Sequence, residues 1–420
     1  MRDTSPLGFR ASERAFAVIV WIVSSLTFLK GFRFPSLWCA THFTFNYSQG
    51  FVRRGLVGEL ARRIGGDDVY KYNVFLGLSF VIFGAVATLL CVGVQRVLRE
   101  HPGNWAFRAA LLVFCASPGT VFLVHLVGYF DFLGLLSLLA LLWFGVRARG
   151  GFSVFYVLGG LGCVLPLIHE GLLVMFGPSA LFVGVCQWLR ALGDREPGAR
   201  DWSLLAAHVM GSVLLVCAVS YAVSGTTALP TQQALQRFAT QHADFKLRPD
   251  AFQVLSQSTR HNILVVVPGY WSWPFGRTLA LRGQIAFVPG FLFLLYCGAR
   301  EIWAARRAKT LRVALLLLFV AAAIAPEAMN VVGWDWPRWN SMALMSALIC
   351  MLAYQLYFPS AKRARPSLSL LTLGVALTSI GLASTTMLFD NYQVQFFPFD
   401  QQFEFMNRVL DGNFRYRPAE

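Results

Sequence analysis

This sequence predicts an all-α integral membrane protein, a polytopic bundle of about eleven transmembrane helices. Three observations carry that prediction. Hydrophobic residues make up 56% of the 420-residue chain and charged residues only 14%, a balance that no water-exposed surface tolerates. The apolar residues gather in stretches of roughly 17–25, the length that matches the hydrocarbon thickness of a bilayer. Basic residues fall in every second short loop, which fixes an orientation.

Taken in order, the spans centre on residues 15–30, 73–94, 107–127, 131–147, 152–168, 171–190, 203–224, 283–299, 311–325, 340–358 and 368–387. No small-residue cleavage site follows the first before Lys30 and Phe34, so it reads as a retained helix rather than a signal peptide. Ser117, Pro118 and Gly119 predict an irregular second half of the third span. Arg2, Arg10 and Arg14 precede the first span. Arg96, Arg99 and Arg108, then Arg147 and Arg149, then Arg190, Arg195 and Arg200 mark later loops on that side. Arg300, Arg306, Arg307, Lys309 and Arg312 follow, and finally Lys362, Arg363 and Arg365. The reading is a multi-pass protein of a bacterial inner membrane, with its N-terminus cytoplasmic and its C-terminus periplasmic. The net charge of +15 is then largely a topology signal. No nucleic-acid motif accompanies it, so no nucleic-acid partner is expected.

The chain divides into an N-terminal transmembrane module (1–224) with a first outer loop (31–71), a long outer loop (225–282), C-terminal transmembrane helices (283–387) and an aromatic-rich outer tail (388–420). The first outer loop breaks the charge rule with Arg33, Arg53, Arg54, Arg62, Arg63 and Lys71, which points to an anionic ligand. Within it Leu56, Leu60 and Ile64 share one helical face, predicting an amphipathic helix over Gly55–Ile64 in the interface plane, or one packed on the bundle. In the long loop, 226–261 is polar and partly helical. The following ILVVVPGYWSWPFG (263–276) is too short to span and carries interfacial Tyr270, Trp271 and Trp273. The tail is expected to fold back as a cap over the outer face. Seven of the eight cysteines fall inside spans, and no CxxC or metal-spaced histidine pair occurs, so no structural metal is expected.

By this topology Asp131, His169, Glu170, Glu327 and Asp335 all fall on the outer side, with Arg53, Arg54 and Arg338. Ionisable groups at membrane depth are costly and usually line a cavity or substrate path. Asp131, in GYFDF beside Tyr129, opens the fourth span. It reads as a helix N-cap or as a carboxylate aimed at a polar substrate or at a divalent ion on a phosphate. His169 and Glu170, in PLIHEGLL, would point about 100° apart on a helix. The absence of HExxH excludes a zinc protease. One of the two suits a general base or a hydrogen bonder to a sugar hydroxyl, against a pair that only satisfies turn backbone. Arg53 and Arg54, after FNYSQGF, can fork onto phosphate oxygens, specifically or as a headgroup patch. GWDWPRWN (333–340) reads as an aromatic belt with an Asp335–Arg338 pair at i, i+3, or as a carbohydrate platform with Trp336 stacking on sugar. Glu327 is a weaker member of that group.

In this arrangement the chain resembles the GT-C superfamily of polytopic glycosyltransferases, which use polyprenyl- or dolichyl-phosphate sugars on the outer face. The likeness is architectural and covers residues 1–190. It rests on a large first outer loop with a juxtamembrane amphipathic helix (Gly55–Ile64) and on an acidic position between the third and fourth spans (Asp131). A later outer loop and tail suited to an acceptor complete it. One departure matters: such enzymes place an acidic residue soon after the first span, where HFTFNYSQGFVRRG offers Asn46. Glu59, Asp67 and Asp68 come only after the arginines, so the base falls to Asp131, Glu170 or His169. The resemblance implies inverting transfer from a polyprenyl-phosphate sugar to a glycan or lipid acceptor within the lipid bilayer. Arg53, Arg54 and Arg338 would hold the lipid phosphate, and Asn46, Tyr129, Glu327, Asp335 and Trp336 would contact the sugar or acceptor. A divalent cation, Mg or Mn, is the one cofactor such chemistry admits. Two readings compete: an O-antigen polymerase or ligase using lipid pyrophosphate at Arg260 and His261, and a transporter or flippase of a lipid-linked solute.

Overall fold

Every apolar stretch read from the sequence is helical where the structure describes it. The computed structural model describes residues 6–148, 151–193, 195–223, 225–304, 308–333, 335–358 and 368–383. The aromatic tail 388–420 and Trp334 lie outside the described residues. The helices are α1 (Pro6–Gly31), α2 (Leu37–Phe43), α3 (Leu56–Gly65), α4 (Tyr72–Glu100), α5 (Trp105–Ala116), α6 (Pro118–His125), α7 (Asp131–Arg147), α8 (Ser153–Ile168) and α9 (Gly171–Leu192). They continue as α10 (Ala199–Val223), α11 (Leu229–His242), α12 (Pro249–Ser256), α13 (Thr259–His261), α14 (Val267–Ser272), α15 (Pro274–Ala304), α16 (Lys309–Ile324), α17 (Trp336–Tyr357) and α18 (Leu368–Ala383).

Among the described residues seven helices are long and apolar enough to cross a membrane, and α5 with α6 makes an eighth crossing bent by 56°. The bend follows from Ser117–Pro118. Pro118 cannot continue the α5 ladder, and the Ser117 hydroxyl caps the new helix by accepting from the Gly119 amide at 3.2 Å. The expected eleven crossings also need α7, α8 and α18, which have 17, 16 and 16 residues. At about 1.5 Å per residue they reach roughly 24–26 Å, a little short of the ~30 Å core.

The centre of the bundle is α17, every residue of whose apolar window is buried. Ser341, Ala343, Ser346, Ala347, Cys350 and Ala353 keep it slim, so that α6, α9, α15 and α16 approach closely. By contrast α10, 11% buried over its window, leans on α8 and leaves Met210, Leu214 and Tyr221 exposed, as a lipid-facing helix does.

One end of the bundle carries a cap. The amphipathic helix appears as α3, with Leu60 and Ile64 exposed at 52% and 88%, the unpartnered apolar face of an interfacial helix. Its other side is pinned where Gly58 meets the backbone carbonyls of Phe43 and Phe45, leaving no room for a Cβ. The long loop folds as α11 and α12, and Leu235, Ala239, Ala251, Phe252 and Leu255 bury against Phe45 and Val52 of the first loop. The amide of Tyr72 donates to Asp244 at 2.8 Å, and that of Arg248 to the Thr41 hydroxyl at 3.0 Å. The expected loop boundary at 282 moves: α15 already starts at Pro274, preceded by a π turn over Asn262–Val266 and by α14.

Candidate functional site

Asp131 is the first residue of α7, yet it caps nothing. The N-cap is Phe130 and no side-chain cap forms, so the N-cap reading of Asp131 gives way to an ion pair. Both Asp131 oxygens accept from Arg338, Oδ2 from Nε at 2.5 Å and Oδ1 from Nη2 at 2.9 Å, and Asp131 is fully buried. The expected Asp335–Arg338 pair is present but looser, at 3.6 Å. Burial raises the Asp335 carboxyl, against the pull of Arg338. The Arg338 guanidinium lies 4.8 Å above the Tyr129 ring centroid, a cation–π contact in a desolvated setting.

A second pair sits in the same end of the bundle. Arg54 gives Nε to Glu170 at 2.9 Å and Nη2 at 2.6 Å. Among the described residues Arg54 is the one non-glycine with positive φ, at 61°. A long side chain adopts that conformation only when its surroundings fix it, and here the Glu170 fork does so. Arg53, its neighbour, points the other way. It donates Nη2 to the carbonyls of Val254, Leu255 and Gln257, the last two at 3.0 and 2.9 Å, and lies 3.7 Å from Glu170 through Nη1. Rather than opening both guanidiniums toward a phosphate, the sequence uses Arg53 to cap the C-terminus of α12, where free carbonyls and the helix dipole favour a cation.

His169 and Glu170 fall between two helices, as the spans 152–168 and 171–190 imply. His169 caps α8 in extended conformation and Glu170 caps the start of α9, because Pro166 and Gly171 break the run. His169 Nδ1 accepts from the Gly171 amide at 3.0 Å, so its proton sits on Nε2. His42 has the opposite arrangement. Its Nδ1 faces the Trp38 carbonyl at 3.0 Å and its Nε2 faces Arg54 at 3.4 Å. Burial, then the charge of Arg54, pushes His42 down to about 3, and the same two causes hold His169 well below its ordinary value. Burial pushes Glu170 up, but the surrounding positive charge, Arg54 first and Arg53 with it, together holds the carboxylate well below its ordinary value.

The two pairs are joined by stacked rings. Tyr129, under Arg338, stacks on Trp38 at 5.7 Å, and Trp38 contacts His42 at 3.9 Å. Beside Tyr129 opens a shallow apolar groove between α3, α4 and α7, with a cavity volume of about 20 Å³. Phe75, Ile82, Phe132 and Leu133 line it, with Val57 of the amphipathic helix. A cationic centre and an apolar groove therefore meet at one tyrosine. Sequence reasoning missed His42 and Trp38; their i, i+4 spacing on a seven-residue helix was the available signal.

The other expected residues serve elsewhere. Asn46 is buried and shapes its own turn, donating to Thr44 O at 3.0 Å and accepting from Ser48 N at 2.9 Å. Glu59 accepts from Arg62 and Arg63 of its own helix and from the Tyr47 amide, and the Arg62 hydrogen bond leads in lowering it to about 2. Trp336 packs at 4.4 Å against Trp271, and Glu327 bonds Asn330 at 2.6 Å; both are apart from the arginine pairs. Arg260 and His261 stand exposed on α13. Among the described residues no three of His, Cys, Asp and Glu converge as metal ligands. The donor set also suits a divalent cation poorly, since a guanidinium covers both oxygens of Asp131 and of Glu170.

The protein-family model described as "Uncharacterised membrane protein Rv1490" matches residues 13–249, the stretch that contains α2 through α11 and both Arg54 and Asp131. No curated protein matches the chain, and no solved structure matches it.

Proposed function

The chain belongs to the Rv1490 membrane protein family, and from that premise we propose that it transfers a sugar from a polyprenyl-phosphate donor to a glycan or lipid acceptor on the periplasmic face of the inner membrane. The observation that carries this reading is the meeting, at Tyr129, of an apolar groove with the buried Arg338 guanidinium. A lipid phosphate needs both: a dry channel for its chain and a cationic fork for its head.

The bidentate carboxylates now on Arg54 and Arg338 occupy the positions that phosphate oxygens would take. Glu170 is the better base. Its side chain keeps 39% of its surface accessible, against none for Asp131, so an acceptor hydroxyl can reach it. When the phosphate takes the Arg54 fork, Glu170 is released to accept the hydroxyl proton. The acceptor oxygen then bonds the anomeric carbon as the bond from that carbon to the phosphate oxygen breaks. The leaving polyprenyl phosphate gains negative charge, which Arg54 and Arg338 stabilise. His169, with its proton on Nε2, serves as a donor to the sugar or phosphate, and Asp131 holds Arg338 in place.

Release of polyprenyl phosphate from a panel of polyprenyl-phosphate sugars tests the proposal. Wild-type protein is expected to release it, and Glu170→Gln, which keeps the size but removes the basic oxygen, to lose about 10²–10⁴-fold in rate. A folded protein that releases nothing from any donor would sink the reading. A Glu170→Gln variant of near-normal rate would remove Glu170 as the base.

A further inference from the structure

Glu327 lies in the 3-10 turn Ala325–Val331, within a segment apolar enough to cross the membrane. Its partners are amides. Asn330 Nδ2 donates to Oε2 at 2.6 Å. The terminal amide of Asn340, fully buried, sits 2.8 and 3.0 Å from the two carboxyl oxygens. From α15, Gln284 gives Nε2 to Asn340 Oδ1 at 3.3 Å.

The described charged groups on α9, α16 and α17 are engaged or distant, and Arg277 of α15 is exposed. Gly171 at the start of α9 approaches Met329 so closely that a Cβ would lie 2.8 Å from it, which brings the His169–Glu170 corner near. Glu170 holds Arg54, and the His169 Nδ1 accepts from Gly171. From α17 come Arg338, bound to Asp131, and Asp335, beside Arg338. Lys309 and Arg312 sit at the far end of α16. Among the described residues no cation pairs with Glu327.

Two proton arrangements are open to this cluster. With Glu327 ionised, Asn340 turns its nitrogen inward to donate at 2.8 and 3.0 Å, and Gln284 turns its own amide to present its oxygen. With Glu327 protonated, the acid both donates and accepts, so it can partner the Asn340 amide in either orientation while Asn330 donates to Oε2. The Trp336 carbonyl, 3.2 Å from the same Asn340 atom, is an i−4 carbonyl of the α17 ladder in both cases. The protonated state leaves no bare charge in the bilayer. An isolated charge there costs far more than a hydrogen-bonded acid.

We propose that Glu327 is a proton-binding site: a neutral carboxylic acid held among the amides of Asn330, Asn340 and Gln284 that exchanges its proton without disturbing either arginine pair. This goes beyond the transferase reading and stands whether or not that reading holds.

Infrared spectroscopy of the full chain in nanodiscs at neutral pH tests it. The wild-type minus Glu327→Gln difference spectrum is expected to contain a carboxylic-acid carbonyl band that shifts in D₂O and vanishes as pH is raised. A difference spectrum with only carboxylate bands would overturn the proposal. Labelling of the wild-type protein with dicyclohexylcarbodiimide, mapped by peptide mass spectrometry, gives the same answer without a variant, since the reagent attacks protonated carboxyls in apolar surroundings. Glu327 is expected to be labelled and Asp131 and Glu170 spared; an unlabelled Glu327 in a sample where other carboxyls react counts against a bound proton.

Discussion

Asp131 and Glu170 grip arginine through the same two-point geometry, but their accessibility separates their roles. A fully buried pair is held together mainly because each member would be stranded without the other. Asp131→Ala is therefore expected to destabilise the protein by about 3–5 kcal/mol, read as unfolding in detergent, and the double variant Asp131→Ala/Arg338→Met to recover much of that loss. A double variant no more stable than the single one would mean that the pair is not the unit of stability. The histidines add a pH dependence. His42 titrates at about 3 in the fold and near 6.5 when unfolded, so the unfolded chain takes up the proton first. Stability from this group is complete above about 6.5 and drains away as pH falls toward 3. Glu59, lowered to about 2, acts in the same direction in a more acidic window. The unfolding temperature is expected to decline from just below neutrality, and His42→Asn to flatten the upper part of that decline. An unchanged slope in this variant would place the dependence on other groups, His169 first among them.

At the scale of the element, helices were legible and their partners were not. Leu56, Leu60 and Ile64 fixed α3 because a spacing of four residues names a face without reference to anything distant. Ser117–Pro118 foretold the bend between α5 and α6 because proline acts on its own ladder. Arg53 shows the limit: its partners, Val254 to Gln257, lie some two hundred positions along the chain, and no local pattern marks a carbonyl at a helix end as needing a cation. The Asp131–Arg338 pair was hidden for the same reason, although the separate stretches of the outer site were recognised as belonging to one end. The Arg53 clamp makes a specific prediction. Arg53→Ala should free the end of α12, raising amide exchange across Pro249–Gln257 while α4 and α9 stay protected. Unchanged exchange there, with loss of polyprenyl-phosphate binding, would return Arg53 to the phosphate role first expected of it.

For the molecule as a whole, direction along the bundle decides what the site can react with. From Asp131, α7 runs to Arg147; from Glu170, α9 runs to Arg190 and Leu192; from Tyr72, beneath the cap, α4 runs to Arg99 and Glu100. Each of these helices begins at the arginine pairs or the cap and ends in a basic loop. We propose, from the charge bias of the loops, that those basic ends face the cytoplasm, which would put the pairs, α3 and the α11–α12 cap in the periplasm. Lipid-phosphate sugars are the activated donors suited to that side, because a site on the cytoplasmic face would have soluble nucleotide sugars at hand. Orientation therefore tests the proposed donor as well as the topology. A single cysteine at Ser256, exposed on α12, should react with a membrane-impermeant maleimide from the periplasmic side. One at Glu196, exposed between α9 and α10, should react only after the inner membrane is opened. The reverse pattern would turn the arginine pairs toward the cytoplasm and remove the main reason for preferring a polyprenyl-phosphate donor, while the groove beside Tyr129 would still call for a lipid.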